Sequence, residues 1–168
     1  MAKTARSLTG KVIVITGGAR GIGAATAVAL VARGARVAIG DLDDDLTKLV
    51  ATELGGDTLG LHLDVTDHAG FAAFLDEVER ELGPIDVLVN NAGIMPLALL
   101  DEESDQTTAL QIAINLTAVI HGTREAMVRM KPRHTGHIVN IASVAGKVGA
   151  AGGATYSATK HGVVGLCE

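Results

Sequence analysis

Residues 11–23 read Lys-Val-Ile-Val-Ile-Thr-Gly-Gly-Ala-Arg-Gly-Ile-Gly. The first six are nearly continuous in apolar, β-branched character, as expected of a strand buried on both faces. Gly17, Gly18, Gly21 and Gly23 follow, and a helical stretch opens at Gly21. That is the setting of a phosphate loop: glycines let the backbone approach a pyrophosphate, whose charge a helix N-terminus favours. Tight turns also use glycine for steric reasons alone, but the position between strand and helix favours a nucleotide.

Outward from this segment, short apolar runs alternate with longer helical ones. Strands are predicted at residues 11–16, 36–40, 58–63, 85–90 and 137–142, and helices at 21–33, 43–54, 67–82 and 105–130, with a last helix from about residue 155. Alternation at this spacing implies βαβ units, a parallel sheet and right-handed crossovers. The predicted fold is an α/β, doubly wound parallel sheet of Rossmann type, strand order 3-2-1-4-5, in a single domain over residues 1–168. Asp67 and Asp105 are predicted N-caps, and Gly34, Gly55 and Gly83 stand where helix ends need a left-handed residue. Pro84 and Pro132 follow helices as stop signals.

Apolar residues make up 48% of the 168, enough for a sizeable aliphatic core, and Phe71, Phe74 and Tyr156 are the only aromatics. The net charge of −5, with both signs interspersed, argues against a nucleic-acid surface or a basic membrane patch. Cys167 is the single cysteine, so no internal disulfide forms and a reducing compartment fits. Lys3, Arg6 and Lys11 precede an apolar run too short for a signal-peptide core, and a cytoplasmic location is expected. The six histidines form no convincing metal-ligand set.

Several polar residues stand at carboxyl ends of predicted strands, where open α/β sheets bind ligands. Asp41 lies eighteen residues beyond Gly23. Its carboxylate can accept from adenosine ribose hydroxyls and repel a 2′-phosphate, which favours NAD over NADP; a solvated acidic turn is the alternative. Arg20 argues the other way, since a guanidinium can pair with a phosphate. Asp64 and Val65 close the third strand, to meet an adenine or to cap a turn. Asn90-Asn91-Ala92-Gly93 closes the fourth.

Ser143 follows the fifth strand, where its hydroxyl can polarise a carbonyl or merely serve a turn. Asn115 stands inside the long helix, either beside a local distortion that lets it hold a water or on an exposed face. Tyr156 and Lys160 are four apart at the start of the last helix, hence on one face. An ammonium there favours the phenolate of a group whose ordinary pKa is about 10.

Taken together, Thr-Gly-x-x-x-Gly-x-Gly at 16–23, Asn-Asn-Ala-Gly at 90–93, Ser143 and Tyr-x-x-x-Lys at 156–160 resemble the short-chain dehydrogenase/reductase family over nearly the whole chain. The resemblance implies an NAD(H)-dependent oxidoreductase that interconverts a secondary alcohol and a ketone. Tyr156 would be the general acid-base and Lys160 would lower its pKa and hold the nicotinamide ribose. Ser143 would orient the reacting oxygen, and Asn115 would anchor a water in a proton relay. Gly17, Arg20, Gly21, Ile22, Gly23, Asp41, Asp64, Val65, Asn90, Ala92 and Gly93, with Tyr156 and Lys160, match its cofactor-contact positions, and a homo-oligomer, dimer or tetramer, is implied.

Doubly wound sheets of this type carry a sixth strand, and the family adds a seventh and a substrate loop. The chain therefore reads as the N-terminal part of an enzyme, with its fifth strand an apolar edge, weak cofactor retention and little turnover. The rival reading is a non-catalytic nucleotide-binding or assembly module; a Rossmann-like methyltransferase would not need Tyr-x-x-x-Lys. The loops at 95–100 and 144–153 promise an apolar substrate wall.

Overall fold

A computed structural model describes residues 7–168, so Lys3 and Arg6 lie outside the described residues. Five strands form one parallel sheet: β1 (Val12–Thr16), β2 (Arg36–Asp41), β3 (Leu59–His62), β4 (Val87–Asn90) and β5 (His137–Asn140). Their order is β3-β2-β1-β4-β5, as the alternation predicts. The central strand is buried along its whole length, with Ile13 set against Val37 on one side and Val87 on the other.

Six α-helices connect and cover the strands: α1 (Gly21–Val31), α2 (Asp44–Leu54), α3 (His68–Leu82), α4 (Asp105–Ile112), α5 (Ala118–Met130) and α6 (Ala154–Cys167). Successive strand residues point to opposite faces, and the core divides accordingly. Val12, Val14 and Ala38 pack with Phe71, Leu75 and Val78 of α3 and Ala126 and Met130 of α5. Ile13, Ile15, Val37 and Ile39 pack with Ala27 of α1 and Ala51 of α2. Helices on both faces make the sheet doubly wound, while α6 packs against residues 144–146, residues 113–117 and α4.

Most helix ends fall where the sequence sets them. Asp67 caps α3 by accepting from Ala69 N at 3.1 Å, and Gly34, Gly55 and Gly83 take φ of +79°, +64° and +86°. Two expectations need correction. Ser104, not Asp105, caps α4: its Oγ accepts from Thr107 N at 3.1 Å, and Asp105 becomes the first helical residue. The helix predicted over 105–130 is not continuous, because a π-helical turn, Ala113–Thr117, separates α4 from α5. The wider turn inserts a residue and swings Asn115 inward.

Candidate active site

The glycine loop is shaped by close contacts at Gly17, Gly18 and Gly23 and by backbone conformation at Gly21. Gly17 and Gly21 take φ of +65° and +57°, the left-handed region natural to glycine. A Cβ on Gly23 would stand 2.1 Å from Gly17 O, and one on Gly18 would stand 2.5 Å from Ile39 Cβ. Close packing here seats α1 behind the loop. Arg20 at its N-cap offers no side-chain acceptor and the first turn carries no acid, so the end of the helix retains its attraction for an anion.

A cleft of about 450 Å³ opens over the carboxyl ends of the strands. Gly17, Arg20, Gly21, Ile22, Asp41, Asp64, Val65, Ala92 and Gly93 all line it, with Asn91, Ile94 and Ile114 among the other walls. Bare glycine backbone, a helix N-terminus and a carboxylate at the end of β2 are the features a dinucleotide requires, and the residues fit such a group. Gly23 lies behind the loop and does not line the cleft.

Asn90 is also absent from the cleft. Its side chain turns into the protein, donating to Asn140 Oδ1 at 2.8 Å. Its neighbour Asn91 takes the cleft side: Nδ2 donates to Thr16 O at 2.9 Å and to Gly17 O at 3.0 Å. Thr16 Oγ1 in turn accepts from Asn91 N and Ala92 N, both at 3.1 Å. This bracing of the glycine loop by Asn91 and Thr16 is the element that sequence reasoning missed. The alternation of side chains along a strand is its only signal, and it does not say which of two adjacent asparagines faces outward.

The acidic residues of the cleft are held by neighbours. Asp41 Oδ2 accepts from Ala19 N at 3.1 Å, fixing the carboxylate beside the loop. Arg20 pairs with Asp43 at 2.6 Å. Asp64 both lines the cleft and closes a turn, its Oδ1 accepting from Thr66 Oγ1 at 2.7 Å and Thr66 N at 2.8 Å. Those two bonds, the hydroxyl first, hold its carboxyl below the usual carboxylate range.

The four residues expected to act together come from three segments: α6, the π turn and the stretch after β5. On α6, Lys160 Nζ lies 5.8 Å from the centroid of the half-buried Tyr156 ring and donates to Ile141 O at 2.7 Å. Burial of the amine pushes its pKa below the ordinary lysine value. Ser143 Oγ accepts from Ala145 N at 3.1 Å at the head of a short 3-10 turn, Val144–Gly146, and its own O–H is left free to donate. That turn lies directly on α6, since a Cβ on Gly146 would stand 2.6 Å from Lys160 O.

Asn115, fully buried in the π turn, spends its amide on Ile94: Oδ1 accepts from Ile94 N at 2.9 Å and Nδ2 donates to Ile94 O at 2.8 Å. Gly93 joins the two halves of the site. A Cβ there would stand 3.2 Å from Asn115 Oδ1 and 3.8 Å from Lys160 Nζ. Asn115, Ser143, Tyr156 and Lys160 do not themselves line the cleft; the amine and the buried amide lie behind Gly93, which does. A phenol with an amine beside it on one helix is a pair of groups able to give or take a proton.

Among the described residues no helix is long and apolar enough to cross a membrane, and no three His, Cys, Asp or Glu gather as metal ligands. A short chain dehydrogenase family model matches residues 11–168. The chain is 40% identical to momilactone A synthase of Oryza sativa subsp. japonica over 98% of its own length and 61% of that protein's. It is 40% identical to a 3-alpha-(or 20-beta)-hydroxysteroid dehydrogenase of Mycobacterium bovis, covering 96% of this chain and 62% of that one. The same identity relates it to 3-oxoacyl-(acyl-carrier-protein) reductase FabG of Salmonella typhimurium, covering 96% and 66%. It thus spans less than two thirds of the length of these relatives.

Proposed function

The chain belongs to the short chain dehydrogenase family, and from that premise we propose that it interconverts a secondary alcohol and a ketone with NAD(H). A nicotinamide dinucleotide held in the cleft supplies the hydride acceptor for oxidation and the hydride donor for reduction. Tyr156 handles the accompanying proton. In oxidation its phenolate takes the proton of the alcohol O–H; in reduction its O–H gives that proton to the carbonyl oxygen. Lys160 positions a cation beside the phenol, which favours the phenolate. Ser143 donates to the reacting oxygen and so stabilises charge that grows there.

The observation that carries this reading is the shared neighbourhood of Gly93, which lines the cleft and abuts both Lys160 and Asn115. It supports a proton-transfer group next to a dinucleotide cleft, reached through Gly93. Asn115 acts in this scheme as a positioning residue, through its grip on Ile94. Two of the relatives are named as a dehydrogenase and a reductase, in keeping with the reaction type.

NAD is the preferred form because Asp41 faces the cleft and would repel a 2′-phosphate, while the loop guanidinium of Arg20 is engaged by Asp43. A homo-oligomer accords with the exposed Leu110, Ile120 and Met127 along α4 and α5, and light scattering would test it.

The decisive variant is Tyr156→Phe. It should lower turnover of a secondary-alcohol panel by about 100-fold or more and leave NADH affinity, read by fluorescence titration, unchanged. Full activity in that variant overturns the assignment.

A further inference from the structure

At the amino end of the sheet, away from the cleft over the carboxyl ends, a second hollow of about 520 Å³ opens between the end of α5 and the start of β5. Met127, Met130, Lys131, His134 and His137 line it. Met127 and Met130 are three apart on α5, so their side chains share a face. His134 takes φ of +51°, the only left-handed non-glycine among the described residues, and turns the chain back toward the sheet. β5 begins at His137, whose N–H donates to Asp86 O at 2.8 Å. The return is tight, for the Met130 thioether lies where a Cβ on Gly136 would stand. Two sulfurs and two imidazoles thus border one space.

The chemistry of these donors is selective. Thioether sulfur suits soft metal ions, and imidazole suits soft and borderline ones. No carboxylate lines the hollow, so a hard cation such as Ca²⁺ or Mg²⁺ finds no anionic partner there. Lys131 is the only charged residue of the lining, and it opposes a divalent ion more than a monovalent one. The carboxyl end of α5, where Met130 is the last residue, carries partial negative charge that favours a cation. Half of the donors are thioethers, which is why His, Cys, Asp and Glu alone form no metal-binding group among the described residues. Met130 is buried and Met127 exposed, so one sulfur is fixed by the core while the other can swing onto an ion.

We propose that this hollow binds a soft monovalent metal ion, Cu(I) or Ag(I), through the thioethers of Met127 and Met130 and the imidazoles of His134 and His137. The site lies at the far end of the sheet from the cleft, and it stands or falls apart from the hydride-transfer reading.

Ag(I), which is spared redox change, is the first probe, and Cys167→Ser removes the exposed thiol that would compete for it. In that background, NMR of methionine methyl groups should show Ag(I) shifting the signals of Met127 and Met130 while that of Met95, in the loop after β4, stays unmoved. Anaerobic titration of Cu(I) against a competing chelator then measures affinity. Met127→Leu, at an exposed position, and His134→Asn, which keeps a residue at home in the left-handed region, should each weaken Cu(I) binding. The expected loss is at least about tenfold, the effect of removing even an outer partner of a metal ligand. Zn²⁺ should bind more weakly than Cu(I). Absence of binding, equal shifts at Met95, an affinity unchanged in both variants, or a preference for Zn²⁺ would each overturn the proposal.

Discussion

Asn115 holds Ile94 by both ends of one peptide-like pair, accepting from its N–H at 2.9 Å and donating to its carbonyl at 2.8 Å. A buried amide matched in this way ties the segment after β4 to the π turn between α4 and α5. Asn115→Ala would leave the Ile94 N–H and C=O without their partner. The expected cost is about 2–4 kcal/mol, at roughly 1–3 kcal/mol for each polar group stranded, read by denaturant unfolding. Cofactor affinity should fall with it, because Gly93 and Ile94 line the cleft. A variant as stable as the parent would refute the bracing role.

The glycines of the loop should divide into two classes. Gly23→Ala drives a methyl to 2.1 Å from Gly17 O, a backbone atom that cannot swing aside. It should destabilise by about 1–3 kcal/mol and weaken NADH binding at least tenfold. Gly21→Ala meets nothing within 4 Å and suffers only from its φ of +57°, at about 1–2 kcal/mol. Fluorescence titration and denaturant unfolding of both variants test the ranking, which a greater loss in Gly21→Ala would reverse.

Much of this was legible in residues 11–23 and their outward pattern. Continuous apolar runs can be buried on both faces only in a covered parallel sheet, so β1 and its order relative to β2 and β4 follow from composition and spacing. The π turn was not legible as such. Asn115 amid aliphatic residues signals a conflict with a regular helix, but Ile94, the partner that resolves it, is twenty-one residues away and contributes only backbone. Ile141 O, which holds Lys160, is invisible for the same reason. Asn90, the last residue of β4, and Asn91, the first beyond it, differ only in the side to which they point, and the letters are identical.

Lys160 should leave a mark on the pH dependence of stability. Burial lowers its pKa from 10.5, so just below 10.5 the unfolded chain binds more protons at this position than the folded one. The contribution of this group to stability therefore increases with pH through that interval, and below the folded pKa its burial cost is full and constant. Unfolding of the parent and of Lys160→Met, compared from about pH 7 to about pH 10, should show the difference moving in favour of the parent as pH rises. A pH-independent difference would argue that the amine is not desolvated.

Asp41→Asn keeps the size of the side chain and removes its charge. The ratio of NADPH to NADH affinity should rise by about fivefold or more, the effect of roughly 1 kcal/mol between two charges some 4 Å apart in water. Titration with both cofactors measures it. An unchanged ratio would show that Asp41 serves the loop through Ala19 N alone.

One main-chain link, from Ala98 N to Gly152 O, makes the segments beyond β4 and β5 a single mechanical unit. Changes on one side are inherited by the other, so the effects of altering residues 97 and 148 will not sum as those of distant, independent positions do. Scanning either stretch alone would miss the coupling between them, which emerges only when the pair is varied together.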